Sequence, residues 1–234
     1  MVTAGMVLER AITMLRRRIA RPIVNHLRRP YVLKSMSRPS EVRWLGHRLR
    51  TAPDVFHPLH FSSSRILAEQ ILARPLRGLR LLDMGTGAGP IAIAATAAGA
   101  LVTACDINPH AVALARHNLS LNGLDQDVIE SDLFGALAGR VFDLICFNLP
   151  FYARDPRTPL EHAFHAGRNL ETVRRFVDGC TRHLGQGGRV VVLYSEDCDR
   201  GRILDAFRDA GFQMDGVRIT RSLLEDFHVA WFRR

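Results

Sequence analysis

Lysine is almost missing from this chain: of the 32 basic residues among 234, 31 are arginine and Lys34 stands alone. Such a bias follows from genome composition as readily as from a need for guanidinium groups, so it assigns no function by itself. Cysteine is sparse too. Cys105, Cys146, Cys180 and Cys198 lie far apart and form no CxxC pair, which argues against a zinc module or a disulfide framework and predicts a reducing, cytoplasmic setting. Long apolar runs are missing as well. The longest, Ile91 to Cys105, is alanine-rich, is crossed by Gly99, and falls short of the ~20 residues a membrane span needs, so no transmembrane segment is expected. With 47% apolar and 24% charged residues the chain is expected to fold around a core, and its length suits one α/β domain with an appendage.

Charge is unevenly spread. Residues 1–60 hold 12 basic against 3 acidic side chains, while residues 61–234 hold 20 of each. Val7, Ile12, Leu15, Ile19 and Ile23 recur at helical spacing among Arg16, Arg17 and Arg18, which predicts a basic amphipathic helix from Met6 to about His26, interrupted at Pro22. A docked or solvated arm is the default reading; an anionic partner, a membrane surface and an import signal are the alternatives. With only Tyr31, Trp44 and Phe56 as aromatics, the first 60 residues make no stacking platform for bases. Residues 30–60, carrying Pro30, Pro39, Pro53 and Pro58, read as a connector. The expected division is a basic, largely helical segment and connector over 1–54, and a second unit over 55–234.

In that second unit strands alternate with helices. Strands are predicted at Leu79–Met84, Leu101–Asp106, near 127–130, at Phe142–Phe147 and at Arg189–Tyr194. Helices are predicted at Pro90–Ala98, from Asn108 and Pro109 to Asn122 and Gly123, near Leu170–Leu184 and near Arg202–Ala210. Phe212–Thr220 and Phe227–Phe232 lack a helix between them and should form an antiparallel hairpin at the sheet edge. Alternation of this kind implies parallel pairing with helices on both faces. Ser62, Ser63 and Ser64 are expected to cap a helix starting near Arg65, with His57 and His60 beside the site.

Between the first strand and the first helix lies Asp83-Met84-Gly85-Thr86-Gly87-Ala88-Gly89-Pro90, where alternate glycines let the backbone turn sharply and approach a ligand. Asp106 ends the next strand and can accept both hydroxyls of a ribose. Nicotinamide and flavin enzymes also carry glycine-rich loops. Here the spacing is GxGxG before proline, and Asp83 precedes the first glycine by two residues. A carboxylate there would repel a pyrophosphate and attract a cationic ligand. These residues resemble the class I S-adenosylmethionine-dependent methyltransferases over roughly residues 55–234. The resemblance implies a Rossmann-like α/β fold with a mostly parallel seven-stranded sheet and a C-terminal antiparallel hairpin. It also implies S-adenosylmethionine as cofactor, held by Asp83, Gly85, Thr86, Gly87, Gly89, Asp106, Ile107, Asp132, Leu133 and Asn148. Among these Ile107 would pack on the adenine and Asp132 would receive its amino group; a plain turn is the alternative for Asp132.

After the fourth strand comes Asn148-Leu149-Pro150-Phe151-Tyr152, at a strand end where open α/β sheets bind ligands. With Asp106 through Asn118, it resembles the HemK-like protein glutamine methyltransferases and their small methyltransferase domain relatives, which modify planar nitrogens. A delocalised nitrogen is a poor nucleophile until its N–H groups are held. The Asn148 side chain and the backbone carbonyl of Leu149 can accept those hydrogens, while Phe151 offers an aromatic face and Pro150 biases Leu149 toward an extended backbone. Leu149 departs from the family's usual proline, and Leu149→Pro is expected to be tolerated if the backbone is already extended. His162 and His165 lack a third ligand at fixed spacing, so no metal is predicted and substrate contacts are the better reading. The resulting expectation is an N-methyltransferase acting on a protein glutamine or a nucleic-acid base, with an acidic or nucleic-acid partner for residues 1–54. A methyltransferase of a small metabolite and a catalytically silent binding module are the alternatives.

Overall fold

The computed structural model of the chain describes residues 37–221 and 225–234, so the amphipathic helix expected over Met6–His26 lies outside the described residues. The main sheet contains β3 (Arg80–Met84), β4 (Leu101–Asp106), β5 (Asp127–Glu130), β6 (Phe142–Asn148), β7 (Leu184–Ser195), β8 (Gln213–Thr220) and β9 (Phe227–Arg233), in the order β5-β4-β3-β6-β7-β9-β8. Pairing is parallel from β5 through β7 and antiparallel between β7 and β9 and between β9 and β8. Leaving β3, the chain builds β4 and β5 on one side and then returns to lay β6 on the other. That reversal opens a crevice at the carboxyl ends of β3, β4 and β6, which is where such sheets bind ligands.

Local sequence explains the elements that frame this crevice. α1 (Ser63–Leu72) turns Ile66, Leu67 and Ile71 inward, and α2 (Pro90–Ala97) starts at a proline that suits a first helical turn. In α3 (Pro109–Leu121) the Asn108 side chain accepts a hydrogen bond from the His110 amide, and Gly123, at φ 68°, lets the chain leave the helix. α4 (Glu171–His183) buries Val173, Phe176, Val177 and Cys180 along one stripe, and α5 (Arg200–Asp209) buries Ile203 and Phe207. Parallel strands covered on both faces are nearly continuous apolar runs, as in the Leu81–Met84 and Leu144–Phe147 stretches. Among the described residues no helix is long and apolar enough to cross a membrane.

The C-terminal strands form the expected antiparallel hairpin at the sheet edge, with β9 between β7 and β8 and β8 outermost. The reason is apolar content: Phe227–Phe232 is buried at every position, whereas Gln213–Ile219 is exposed. The structure departs from the sequence reading in the expected connector. Residues 40–51 form a separate hairpin, β1 (Ser40–Trp44) and β2 (His47–Thr51), whose turn residues Leu45 and Gly46 both take positive φ, 46° and 85°, as a type I′ turn requires. Trp44 and Leu49 enter the core. The outer edge of β2 is paired by side chains rather than by a strand. Asn118 exchanges two hydrogen bonds with the Arg50 backbone at 2.7 and 2.9 Å, and Asn122 does the same with Arg48 at 3.0 and 2.7 Å.

Candidate active site

The glycine loop leaves the carboxyl end of β3 and enters α2. Gly85 sits at φ 65°, and a Cβ there would meet the Phe147 ring at 2.7 Å, so a side chain is barred by both conformation and space. At Gly89, with φ 83°, an added Cβ would stand 3.3 Å from the Ala115 backbone, so the bare glycine lets α2 seat against α3. Asp83, 2% exposed, fixes the loop from beneath. Its Oδ2 accepts hydrogen bonds from the Thr86 hydroxyl at 2.6 Å and the Ala92 amide at 3.1 Å, and its Oδ1 accepts from the Cys146 thiol at 3.6 Å. Burial pushes its carboxyl up to about 6 despite those bonds.

Asp106, at the end of β4, faces the same loop. The Gly87 amide donates to its Oδ2 at 2.8 Å and the Asn108 amide to its Oδ1 at 2.9 Å, so both oxygens are oriented while each keeps acceptor capacity. Burial raises its carboxyl above the ordinary range, and these amides pull it back. Ile107 next to it is a large apolar side chain left 42% exposed on the cavity wall. Leu133 takes positive φ, 52°, in a turn held by the Ser131 hydroxyl, and Asp132 pairs with Arg175 of α4 at 2.8 Å. The cavity enclosed by these groups measures about 390 Å³, inside the ~300–1,000 Å³ typical of small-molecule sites. Asp83, Gly85, Thr86, Gly87, Asp106, Ile107, Asp132, Leu133 and Asn148 all line it, while Gly89 lies just behind, at the start of α2. A glycine cradle, an oriented carboxylate for a diol and an uncovered apolar shelf fit an adenosine-containing cofactor with a cationic arm.

The end of β6 forms the opposite wall. The Asn148 Nδ2 donates to the Ser63 hydroxyl at 3.0 Å, while its Oδ1 is buried and has no hydrogen-bond partner among the described residues. Pro150 lines the cavity, but the Leu149 and Phe151 side chains are buried away from it. Phe151 packs on Tyr152 at 4.9 Å, and the aromatic rings on the cavity wall are those of Phe56 and Phe147. The Leu149 amide donates to the Leu193 carbonyl at 3.1 Å, extending the β6–β7 ladder. Proline would delete that bond, so Leu149→Pro is no longer expected to be neutral.

The segment after Tyr152 folds back over the mouth. The Tyr152 amide donates to Phe164 at 3.0 Å and the Ala166 amide to Tyr152 at 2.9 Å, closing a loop whose 3-10 turn, Pro159–Ala163, puts Leu160 and His162 on the cavity. Phe164 is clamped against Phe56 and Phe61 at 5.5 and 5.4 Å. His57 is buried against His60, with ring centroids 4.1 Å apart, and does not line the cavity. Burial, with the His60 charge adding to it, takes its imidazole down to about 4. The sequence reading missed Phe56, Phe147, Ser63, Thr172 and Arg175. The serine run was its only local signal, and it pointed to helix capping.

Residues 46–211 match the model of the methyltransferase small domain. The chain belongs to that family. As a member it is an S-adenosylmethionine-dependent methyltransferase with the class I fold. It is 31% identical to the release factor glutamine methyltransferase of Deinococcus radiodurans, over 88% of this chain and 73% of that protein. It is 29% identical to ribosomal RNA small subunit methyltransferase C of Salmonella arizonae, over 76% of this chain and 50% of that protein, so it spans half the length of this relative. In fold it is similar to the T. thermophilus 16S rRNA N2 methyltransferase solved with S-adenosylmethionine and guanosine, with a TM-score of 0.64 and 21% identity over 84% of this chain and 50% of that one.

Proposed function

We propose that this methyltransferase modifies a planar nitrogen, a protein glutamine amide or the exocyclic amine of a nucleic-acid base, and that Asn148 is the group that aims it. The observation that carries the reading is the buried, unpartnered Asn148 Oδ1 beside the glycine loop. A buried acceptor without a donor costs about 1–3 kcal/mol, and at a cavity wall an N–H group of a bound substrate would recover it. An amide or aryl NH₂ group supplies two. Asn148 Oδ1 would accept one hydrogen and so turn the nitrogen lone pair toward the cofactor side of the cavity; the Leu149 carbonyl that the motif offers for the other belongs to a residue outside the cavity lining.

When bound, S-adenosylmethionine supplies a methyl group on a positively charged sulfur. Asp83, Gly85, Thr86 and Gly87 would hold its amino-acid arm, Asp106 its ribose, and Ile107, Asp132 and Leu133 its adenine. Because the nitrogen gains positive charge as it is methylated, its N–H groups become stronger donors, and the contact to Asn148 strengthens in the transition state. Phe56 and Phe147, rather than Phe151, offer ring faces to a planar acceptor.

Among acceptor classes, a protein glutamine has the broader support, because the glutamine methyltransferase relative is matched over most of its length and the ribosomal RNA relative over half. A base amine is the second reading. The basic residues 1–54 would contact that protein or RNA, and both are favoured over a small metabolite. The four free cysteines, three of them buried, suit a reducing cytoplasm. Asn148→Ala tests the reading: turnover should fall by ~10²–10³ while calorimetry with S-adenosylhomocysteine gives unchanged affinity. Turnover near that of the wild type would refute it.

A further inference from the structure

The serine run Ser62-Ser63-Ser64 has the look of a helix cap, but it does not act as one. Ser62 occupies the N-cap of α1 with φ −72° and ψ −13°, and its side chain makes no capping bond. Ser63 is 4% exposed, and its Oγ accepts the Asn148 Nδ2 hydrogen at 3.0 Å across 85 residues of sequence. We propose that Ser63 is a positioning residue: by holding the Nδ2 end of the Asn148 carboxamide, it keeps the Oδ1 end turned toward the methyl acceptor. This rests on the assignment of Asn148 given above.

The physical need is specific. The last torsion of an asparagine is broad and roughly two-fold, so the side chain has no strong intrinsic preference for which end it presents. Reversed, it would offer an N–H to an acceptor nitrogen that itself brings only N–H groups, and the two donors would repel. No other hydrogen bond to the Asn148 side chain is found among the described residues, because Oδ1 is unpartnered. A hydroxyl can donate or accept, and here Ser63 Oγ accepts from Nδ2; facing a substrate nitrogen that brings N–H donors, both ends of the carboxamide are satisfied only with Nδ2 on Ser63 and Oδ1 on the substrate. The place of Ser63 is rigid, since it begins a helix whose apolar stripe is buried in the core. α1 thereby becomes part of the acceptor site: its Ser64 lines the cavity, and Ser63 acts from behind the wall through Asn148.

The test compares wild type, Ser63→Ala, Ser63→Thr, Asn148→Ala and Ser63→Ala/Asn148→Ala. Tritiated S-adenosylmethionine is the donor, and total cell protein and total ribosomal RNA are offered separately as acceptors. Ser63→Ala should lower turnover on the fraction that takes up label by about 10- to 100-fold, with S-adenosylhomocysteine affinity unchanged. Ser63→Thr, which keeps the oxygen, should recover most of the loss. In the Asn148→Ala background Ser63→Ala should add nothing, because the two residues act as one unit. An independent signature is the Asn148 side-chain NH₂ resonance pair in ¹⁵N spectra, identified by its disappearance in Asn148→Ala. It should be protected from solvent exchange in the wild type and lose that protection in Ser63→Ala. If Ser63→Ala does not fold, Ser63→Cys, with a weaker acceptor of similar shape, is judged by the same criteria. Full turnover in Ser63→Ala with Asn148→Ala inactive overturns the positioning role and leaves the Asn148 assignment standing. Full turnover in Asn148→Ala overturns both. A loss in the double variant that multiplies the two single losses also overturns the positioning role, because Ser63 would then act through something other than Asn148.

Discussion

Asp83 has two tasks whose electrostatics conflict. It ties the glycine loop to α2 through Thr86 and Ala92, and its charge suits the cationic arm of the cofactor, yet burial drives the carboxyl from 3.8 up to about 6. A carboxyl raised on folding contributes stability that is complete below its unfolded value and is lost as pH rises through about 6, so the ionised form at neutral pH is a strained state that a cation relieves. His57 acts in the opposite sense, contributing stability above 6.5 that is lost as pH falls through about 4. Thermal stability between pH 4 and 6.5 therefore mixes the two groups. Cofactor affinity separates them, because His57 does not line the cavity. Calorimetry with S-adenosylhomocysteine should show affinity weakening as pH falls through about 6 in the wild type, and a flatter profile in Asp83→Asn. Identical profiles would remove Asp83 from the cofactor's surroundings.

Among the elements, α3 is the one that ties the glycine loop to the β1–β2 hairpin. Asn118, fully buried, donates to the Ala88 carbonyl in the glycine loop at 2.8 Å and exchanges hydrogen bonds with Arg50 of β2. Asn118→Ala leaves the Arg50 amide and the Ala88 carbonyl without these partners, and should cost about 2–4 kcal/mol in urea unfolding, given ~1–3 kcal/mol for each unsatisfied buried group. It should also weaken S-adenosylhomocysteine binding, whereas a loss under 1 kcal/mol would mean that Trp44, Leu49 and the Asn122–Arg48 pair hold the hairpin without Asn118. The course of α3 itself was legible in the sequence, from Asn108 and Pro109 to Asn122 and Gly123, because its start, apolar face and stop are all local signals. The β1–β2 hairpin was not. Its alternating Val42, Trp44, Leu49 and Thr51 are interrupted by arginines, and its asparagine partners lie about seventy residues away. Distance along the chain hid the Ser63–Asn148 and Arg175–Asp132 pairs in the same way. The aromatic wall was misassigned because the Phe147 ring packs against Gly85 of the glycine loop, a contact between distant residues, while the sequence motif drew attention to Phe151.

For the whole molecule, the charge asymmetry and the sheet topology fall on different parts of the chain. The parallel sheet from β5 through β7 carries the cofactor motifs, and the basic excess precedes it. The hairpin over residues 40–51 belongs to the folded body, so a clean separation must cut before Ser40. Removal of residues 1–36 should leave S-adenosylhomocysteine affinity unchanged and reduce both the efficiency of methyl transfer to the natural acceptor and its salt dependence. Removal through Ala52 should also destabilise the fold, since Trp44 and Leu49 go with it. Full activity and full salt dependence after the shorter cut would make the basic segment a solvated arm. The most direct measurement is the position of the transferred methyl group, read by mass spectrometry of digested protein and RNA after incubation with deuterated-methyl S-adenosylmethionine. The account predicts the label on a planar nitrogen, a glutamine side-chain amide or a base exocyclic amine; label on an oxygen, a carbon or an aliphatic amine would contradict it.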